Sequence, residues 1–207
     1  MSLLLAETFP VTAFDYHWQK IIYGWTAINP LVNGLGIVLA RYAPEIWAGV
    51  FLLLWFWPPL RQNRARRAVV YATVAGVLAL MVSVALSHGL PYRPRPFVLE
   101  PHLVRSLIPH PPDTSFPSDH AAGSFAFATA LFFAGRRDGW WAILLAVLVS
   151  IARVFVGVHW PTDVIAGGAI GVAAGVLVLA ARKYLEGLVR VLFTIFRFQP
   201  ERRYRYR

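Results

Sequence analysis

The chain has 207 residues, 57% of them hydrophobic and only 14% charged, whereas a soluble domain carries about a quarter charged residues. Apolar runs long enough to cross a bilayer, ~20 residues each, recur along it, which excludes an ordinary soluble fold and predicts an integral membrane protein. The net charge of +10 does not point to nucleic acid, because the arginines cluster in short loops and the C-terminal tail and not on a soluble module.

There is no cysteine, so disulfides and thiolate metal sites are excluded. Residues 1–10 carry no positive charge ahead of an apolar stretch. No cleaved signal peptide is expected, and the spans themselves must direct the chain to the membrane.

In chain order, residues 1–42 read as an amphipathic, interfacial helical segment. Ala13 to Arg41 is apolar but broken by Asn29, Pro30, Asn33 and several glycines; it is either a pair of interfacial helices or a broken sixth span. The membrane core, 43–183, follows with five spans: about Pro44 to Pro58, Ala68 to Ser87, His120 to Ala134, Trp140 to Phe155 and Pro161 to Ala181. The fold class is therefore an all-α, polytopic membrane helical bundle. Gly167, Gly171 and Gly175 in the fifth span are a packing stripe, since small residues let helix backbones approach closely in lipid. Residues 184–207 form a basic amphipathic tail, with Leu188, Val189, Leu192 and Phe196 on one side of a helix. It is expected on the cytoplasmic lipid surface.

The loop from Gly89 to Pro117 is rich in proline. Proline fixes φ and blocks helix, so the loop should be extended and stiff. Its apolar side, Leu99, Leu103, Leu107 and Ile108, either covers the site or rests on the membrane.

Orientation follows from the arginines. Arg61, Arg64, Arg66 and Arg67 lie between spans one and two, Arg136 and Arg137 between three and four, and Arg182 and Lys183 after five. With five alternating spans all three groups share one side, which the positive-inside rule makes cytoplasmic. The Gly89–Asp119 and Val156–Trp160 connections then face outward.

Every candidate functional residue lies near that outer face. Arg153, His159 and Asp163 form one constellation. Pro161 suits the first turn of a helix, so Asp163 reaches back to a ring nitrogen of His159, fixing its tautomer and leaving the other nitrogen to attack phosphorus. Arg153 would bind phosphoryl oxygens bidentately. The same residues also fit an interfacial histidine beside Trp160 with an aspartate capping the helix. In Pro117-Ser118-Asp119-His120, a helix N-terminus attracts anions, Ser118 donates to phosphate and His120 protonates the leaving oxygen; alternatively, Ser118 is only a cap. Arg95 reads as a phosphate clamp with His88 as helper, while Arg93 and Arg105 either join them or face headgroups. No carboxylate–histidine cluster has metal-ligand spacing, so neither a metal nor a cofactor is expected, and Glu100 and Asp113 read as loop residues.

These three motifs resemble those of the type-2 phosphatidic acid phosphatase superfamily, Lys-x6-Arg-Pro, Pro-Ser-Gly-His and Ser-Arg-x5-His-x3-Asp. The match runs from His88 to Asp163, with His88, Asp119 and Ala152 departing from the pattern. The strings Pro94 to Val98, Leu107 to His110 and Phe116 to His120 look like the bacitracin-resistance type of undecaprenyl-diphosphate phosphatase. The resemblance implies a phosphorylated His159 supported by Asp163, with His120 as acid and Arg95, Ser118 and Arg153 holding the phosphoryl group. It further implies a polyprenyl diphosphate substrate, a multi-pass protein of the bacterial inner membrane and a site facing the periplasm. Phosphatidic acid, phosphatidylglycerol phosphate and lipid A are the alternative substrates within the superfamily. A lipid transporter or flippase is the alternative of a different class, marked by ionisable groups at mid-bilayer; here they cluster at span ends.

Overall fold

A computed structural model of the chain describes residues 9–56, 62–135, 139–196 and 198. Pro58, Arg61, Arg136, Arg137, Arg197 and residues 199–207, on which parts of the span, orientation and tail expectations fall, lie outside the described residues. Every regular element among the described residues is helical. Helix α1 (Ala13–Gly24) leads through a 3-10 turn into α2 (Pro30–Arg41) and α3 (Ala43–Phe56). The long α4 (Gln62–Gly89) is followed by the proline-rich loop, whose one helical turn is α5 (Pro96–Leu99). Then come α6 (Asp119–Gly135), α7 (Trp140–Phe155), α8 (Pro161–Ala180) and α9 (Arg182–Ile195).

The five expected spans each appear as a helix, but among the described residues only Asn63–Gly89 and Pro161–Ala180 are long and apolar enough to cross a membrane singly. Helices α2 and α3 pass that test together as a pair bent by 72°. The bend has a chemical cause. Pro44 has no N–H, so the carbonyl of Ala40 four residues earlier loses its helical partner and the helix breaks there.

The centre of the bundle is α4, α6 and α8, which pack mostly through alanine and glycine. A Cβ added at Gly167 would lie 2.4 Å from the Ser118 carbonyl oxygen, and one at Gly171 would lie 2.3 Å from that of Ala122. The glycine stripe therefore sets how closely α8 approaches the start of α6, and so the spacing between the second and third motifs. On the outside, α1 and α2 pack against α7. In the loop, Ile108 is buried with Ala40, Ala152, Phe155 and Val158, while Leu103 is exposed; its apolar side thus packs over the helix ends. Helix α9 turns Val189 and Phe193 into the bundle and leaves Tyr184, Leu188, Val191 and Ile195 exposed. It is tied to α4 by the Arg67–Glu186 ion pair at 2.6 Å.

Candidate active site

The site is assembled where α7 ends, α8 and α6 begin and the proline-rich loop folds over. Arg153 occupies the last turn of α7. The chain then turns through Gly157, whose φ of +79° only glycine adopts without strain and where a Cβ would meet Val104 at 2.7 Å. This turn delivers His159, followed by Pro161 in the first turn of α8 and Asp163 two residues on. His159 is 3% exposed and Trp160 1%, so both are packed inside the protein. The Trp160 indole N–H donates to the Pro94 carbonyl, 2.8 Å away, fastening the third motif to the loop.

Two neighbours fix the protonation of His159. Its Nδ1 lies 2.8 Å from the Ser115 carbonyl oxygen, which only accepts, so Nδ1 carries the hydrogen. Its Nε2 lies 3.4 Å from Nη1 of Arg95, which only donates, so Nε2 presents a lone pair. The direct partner of Nδ1 is thus a backbone carbonyl; Oδ2 of Asp163 stands 3.6 Å away. That oxygen accepts the Trp160 N–H at 2.7 Å, so Asp163 caps α8 and faces the ring at once, and the two sequence readings of it are compatible.

Cations surround this lone pair. Arg95 is held by Asp113 at 2.8 Å, the Val158 carbonyl at 2.7 Å and the Thr114 carbonyl at 3.0 Å. Arg153, 2% exposed, donates from Nη1 to the Ala40 carbonyl at 3.0 Å. This is the carbonyl that Pro44 cannot bond, so the helix break anchors a site arginine. The Arg153 Nε–H has no partner among the described residues. Burial first, then the charges of Arg153, Arg95, His120 and His110, hold the His159 pKa well below its ordinary value. The ring is therefore neutral and nucleophilic at neutral pH.

The other expected residues fall into two groups. Ser118 is buried, and its hydroxyl accepts the Ala121 N–H at 3.5 Å while its backbone N–H donates to the Asp163 carbonyl at 3.1 Å. His120 is half-buried in the first turn of α6. Asp119 turns to the Ser83 hydroxyl on α4. Arg93 is fully buried and bonded to Asp15 and Asp163. His88 and Arg105 are exposed, and among the described residues no hydrogen bond or ion pair joins their side chains to the cluster. Three residues were not singled out from sequence. Ser115 acts through its carbonyl, which no side-chain pattern reveals. His110, whose ring centroid is 6.4 Å from that of His159, sits among prolines. Asp15 lies on α1 and looks locally like the capping-box partner of Thr12 that it also is, accepting the Thr12 hydroxyl at 2.9 Å. Among the described residues no three His, Asp or Glu side chains converge as metal ligands.

The sequence profile of the PAP2 superfamily matches residues 68–186, which hold all three motifs. The chain belongs to the PAP2 superfamily. Among PAP2 proteins it is similar to the undecaprenyl-diphosphatase BcrC of Bacillus subtilis, 30% identical over 88% of this chain and 91% of the relative. It is also similar to a lipid A 1-phosphatase of Rhizobium etli, 36% identical over 68% of this chain and 67% of that one. The crystal structure of Aquifex aeolicus LpxE superposes with a TM-score of 0.69 at 23% identity, covering 84% of this chain and 99% of LpxE. That likeness establishes the shared PAP2 fold.

Proposed function

We propose that this membrane phosphatase of the PAP2 superfamily removes the terminal phosphate of undecaprenyl diphosphate at the outer face of the membrane. The observation that carries the reading is the neutral His159 with its Nε2 lone pair turned into a buried arginine cluster. In the first step Nε2 attacks the terminal phosphorus and the bond from phosphorus to the bridging oxygen breaks. His120, which takes up a proton when the anionic diphosphate is bound beside it, gives that proton to the oxygen, and undecaprenyl phosphate leaves. Positive charge appears on the His159 ring, where Asp163 faces it. In the second step water attacks the phosphohistidine, His120 takes the water's proton, and inorganic phosphate departs with His159 restored. Arg95 and Arg153 balance the phosphoryl charge throughout.

The leaving oxygen carries the lipid, so the tail must depart on the His120 side. A cleft of about 300 Å³ opens there, lined by His120, Trp47, Phe51, Leu80, Gly123 and Phe127. Its apolar walls between α3, α4 and α6 suit an isoprenoid chain. The outward orientation is supported by the length of α4. Arg66 and Arg67 stand at its start and Ser83, bonded to Asp119, near its end; Ser83 lies 16 positions after Arg67, which separates the basic end from the site by about 24 Å. Five crossings, with α2 and α3 completing one of them, satisfy this arrangement. The ionisable site groups sit at helix ends, which favours surface chemistry over transport.

The test is phosphate release by purified protein from undecaprenyl diphosphate, phosphatidic acid, phosphatidylglycerol phosphate and a lipid A diphosphate at equal surface concentration. The diphosphate of the polyprenol should give the highest kcat/KM. Preference for lipid A would move the substrate assignment to that of the Rhizobium relative, and absence of release from all four would end the reading as an enzyme of lipid phosphates.

A further inference from the structure

Asp15, Arg93 and Asp163 form a charged chain sealed from solvent, with exposures of 0%, 1% and 0%. Arg93 Nη2 donates to Asp15 Oδ2 at 2.7 Å, and Nη1 donates to Asp163 Oδ1 and to Thr162 Oγ1, the latter at 2.9 Å. Asp15 Oδ1 accepts the Thr162 N–H at 2.9 Å and its hydroxyl at 2.7 Å. The ring so formed locks α1 to the first turn of α8. Burial works against the Asp15 charge, but hydrogen bonds from Thr162 and Thr12 outweigh it and hold the carboxyl below its ordinary range, so Asp15 is ionised at neutral pH. Arg93 thus stands between two buried carboxylates and is shared by both, and Asp163, one of the two, faces His159 with Oδ2 3.6 Å from Nδ1.

We propose that Asp15 and Arg93 are positioning residues that set how much of the Asp163 charge reaches the His159 ring. The proposal rests on His159 being the nucleophile. With Asp15 sharing Arg93, Asp163 keeps enough negative charge to stabilise the cation that forms on the ring when Nε2 is phosphorylated. Without Asp15, Arg93 neutralises Asp163 alone, and the ring is left beside the guanidinium groups of Arg95 from the loop and Arg153 from α7, with the imidazoles of His110 from the loop and His120 from α6 also near it. Both terminal nitrogens of Arg93 are committed to Asp15, Thr162 and Asp163, so Arg93 is assigned to the carboxylates and not to the phosphoryl group.

The experiment follows phosphate release from farnesyl diphosphate in detergent by full-length Asp15→Asn, Arg93→Lys, Arg93→Gln, Arg95→Gln and His159→Ala proteins. Asp15→Asn is isosteric and should lower kcat on the order of tenfold, with KM within about twofold of wild type. Its acidic limb in kcat against pH should move down by about one unit, since loss of a nearby negative charge favours the neutral ring. Arg93→Lys, which keeps the charge, should hold the limb at its wild-type position. Arg93→Gln should leave the inhibition constant of inorganic phosphate unchanged, whereas Arg95→Gln should raise it. An Asp15→Asn protein with a wild-type limb would make Asp15 a structural tie only and overturn the proposal. A raised phosphate inhibition constant in Arg93→Gln would overturn it by making Arg93 a ligand. Persistent turnover in His159→Ala would remove the premise as well, and so separates failure of the nucleophile from failure of the clamp.

Discussion

The Nδ1 hydrogen of His159 goes to the Ser115 carbonyl, 2.8 Å away, while Asp163 Oδ2 stands 3.6 Å from the same nitrogen. A backbone carbonyl therefore fixes the tautomer, and the carboxylate contributes charge. The two roles are combined in a serine-protease triad, where replacing the aspartate by asparagine costs about 10⁴ in kcat through the wrong tautomer. Here Asp163→Asn should keep the reactive tautomer and lose only electrostatic support, about 10²-fold in kcat, while His159→Ala loses essentially all turnover. Steady-state kcat for the two variants decides the point. A 10⁴-fold loss in Asp163→Asn would return tautomer control to the carboxylate.

The pH dependence follows from the surroundings of His159. Burial and the adjacent arginines hold its pKa well below the ordinary value, ~6.5 for a free histidine. The proposed attack by His159 requires the neutral ring, so activity should rise as pH increases through that lowered pKa, with the acidic limb below pH ~6.5. Between about pH 6 and 7 the limb should be absent from kcat/KM. Removing a positive neighbour in Arg153→Gln raises the ring pKa, so its limb should move to higher pH. A downward shift there would contradict the electrostatic account.

The legible part of this protein was local. The three motifs lie on short segments whose spacing places Arg153 at the end of one helix and Asp163 in the first turn of the next, and the helices carrying them have nearly the expected bounds. Contacts that refine the chemistry were not legible, because they join distant residues or use the backbone. Asp15 meets Thr162 across 147 positions, and Ser115 and Ala40 act through carbonyls. Arg93 and Arg95 are two residues apart and alike in sequence, yet Arg93 is bonded to the buried Asp15 and Asp163, while Arg95 pairs with the exposed Asp113 and reaches His159. Only the folded loop distinguishes them.

Pro44 offers a test of the link between the helix break and the site. Pro44→Ala supplies an N–H that can bond the Ala40 carbonyl and take it from Arg153. Arg153 then loses its anchor without being changed itself. KM should rise several-fold, on the order of the 1 kcal/mol that a net hydrogen bond contributes, with a smaller effect on kcat. An unchanged KM, with Arg153→Gln impaired, would show that the anchor is dispensable.

The orientation can be read with single cysteines, since the chain has none of its own. His102, exposed in the proline-rich loop, and Tyr184, exposed at the start of α9, lie at opposite ends of the bundle. His102→Cys should react with an impermeant thiol reagent in intact spheroplasts, and Tyr184→Cys only after permeabilisation. The reverse pattern would put the site on the cytoplasmic face.

The lipid cleft is tested at Gly123. A Cβ there would make only ordinary contacts, 3.9 Å from Phe127 and 4.0 Å from Leu80, so a side chain grows into the cleft without striking backbone. Gly123→Leu should displace part of the isoprenoid chain near His120. Loss of contact for two methylene groups, at about 0.8 kcal/mol each, corresponds to roughly a tenfold higher KM for undecaprenyl diphosphate. The phosphoryl pocket is untouched, so inhibition by inorganic phosphate should be unchanged. A water-soluble phosphate ester with no long tail should likewise be hydrolysed at the wild-type rate. If KM rises equally for the soluble ester, the leucine has disturbed His120 itself. If KM rises for neither, the tail leaves by another path, and the position of the general acid on α6 no longer dictates where the lipid lies.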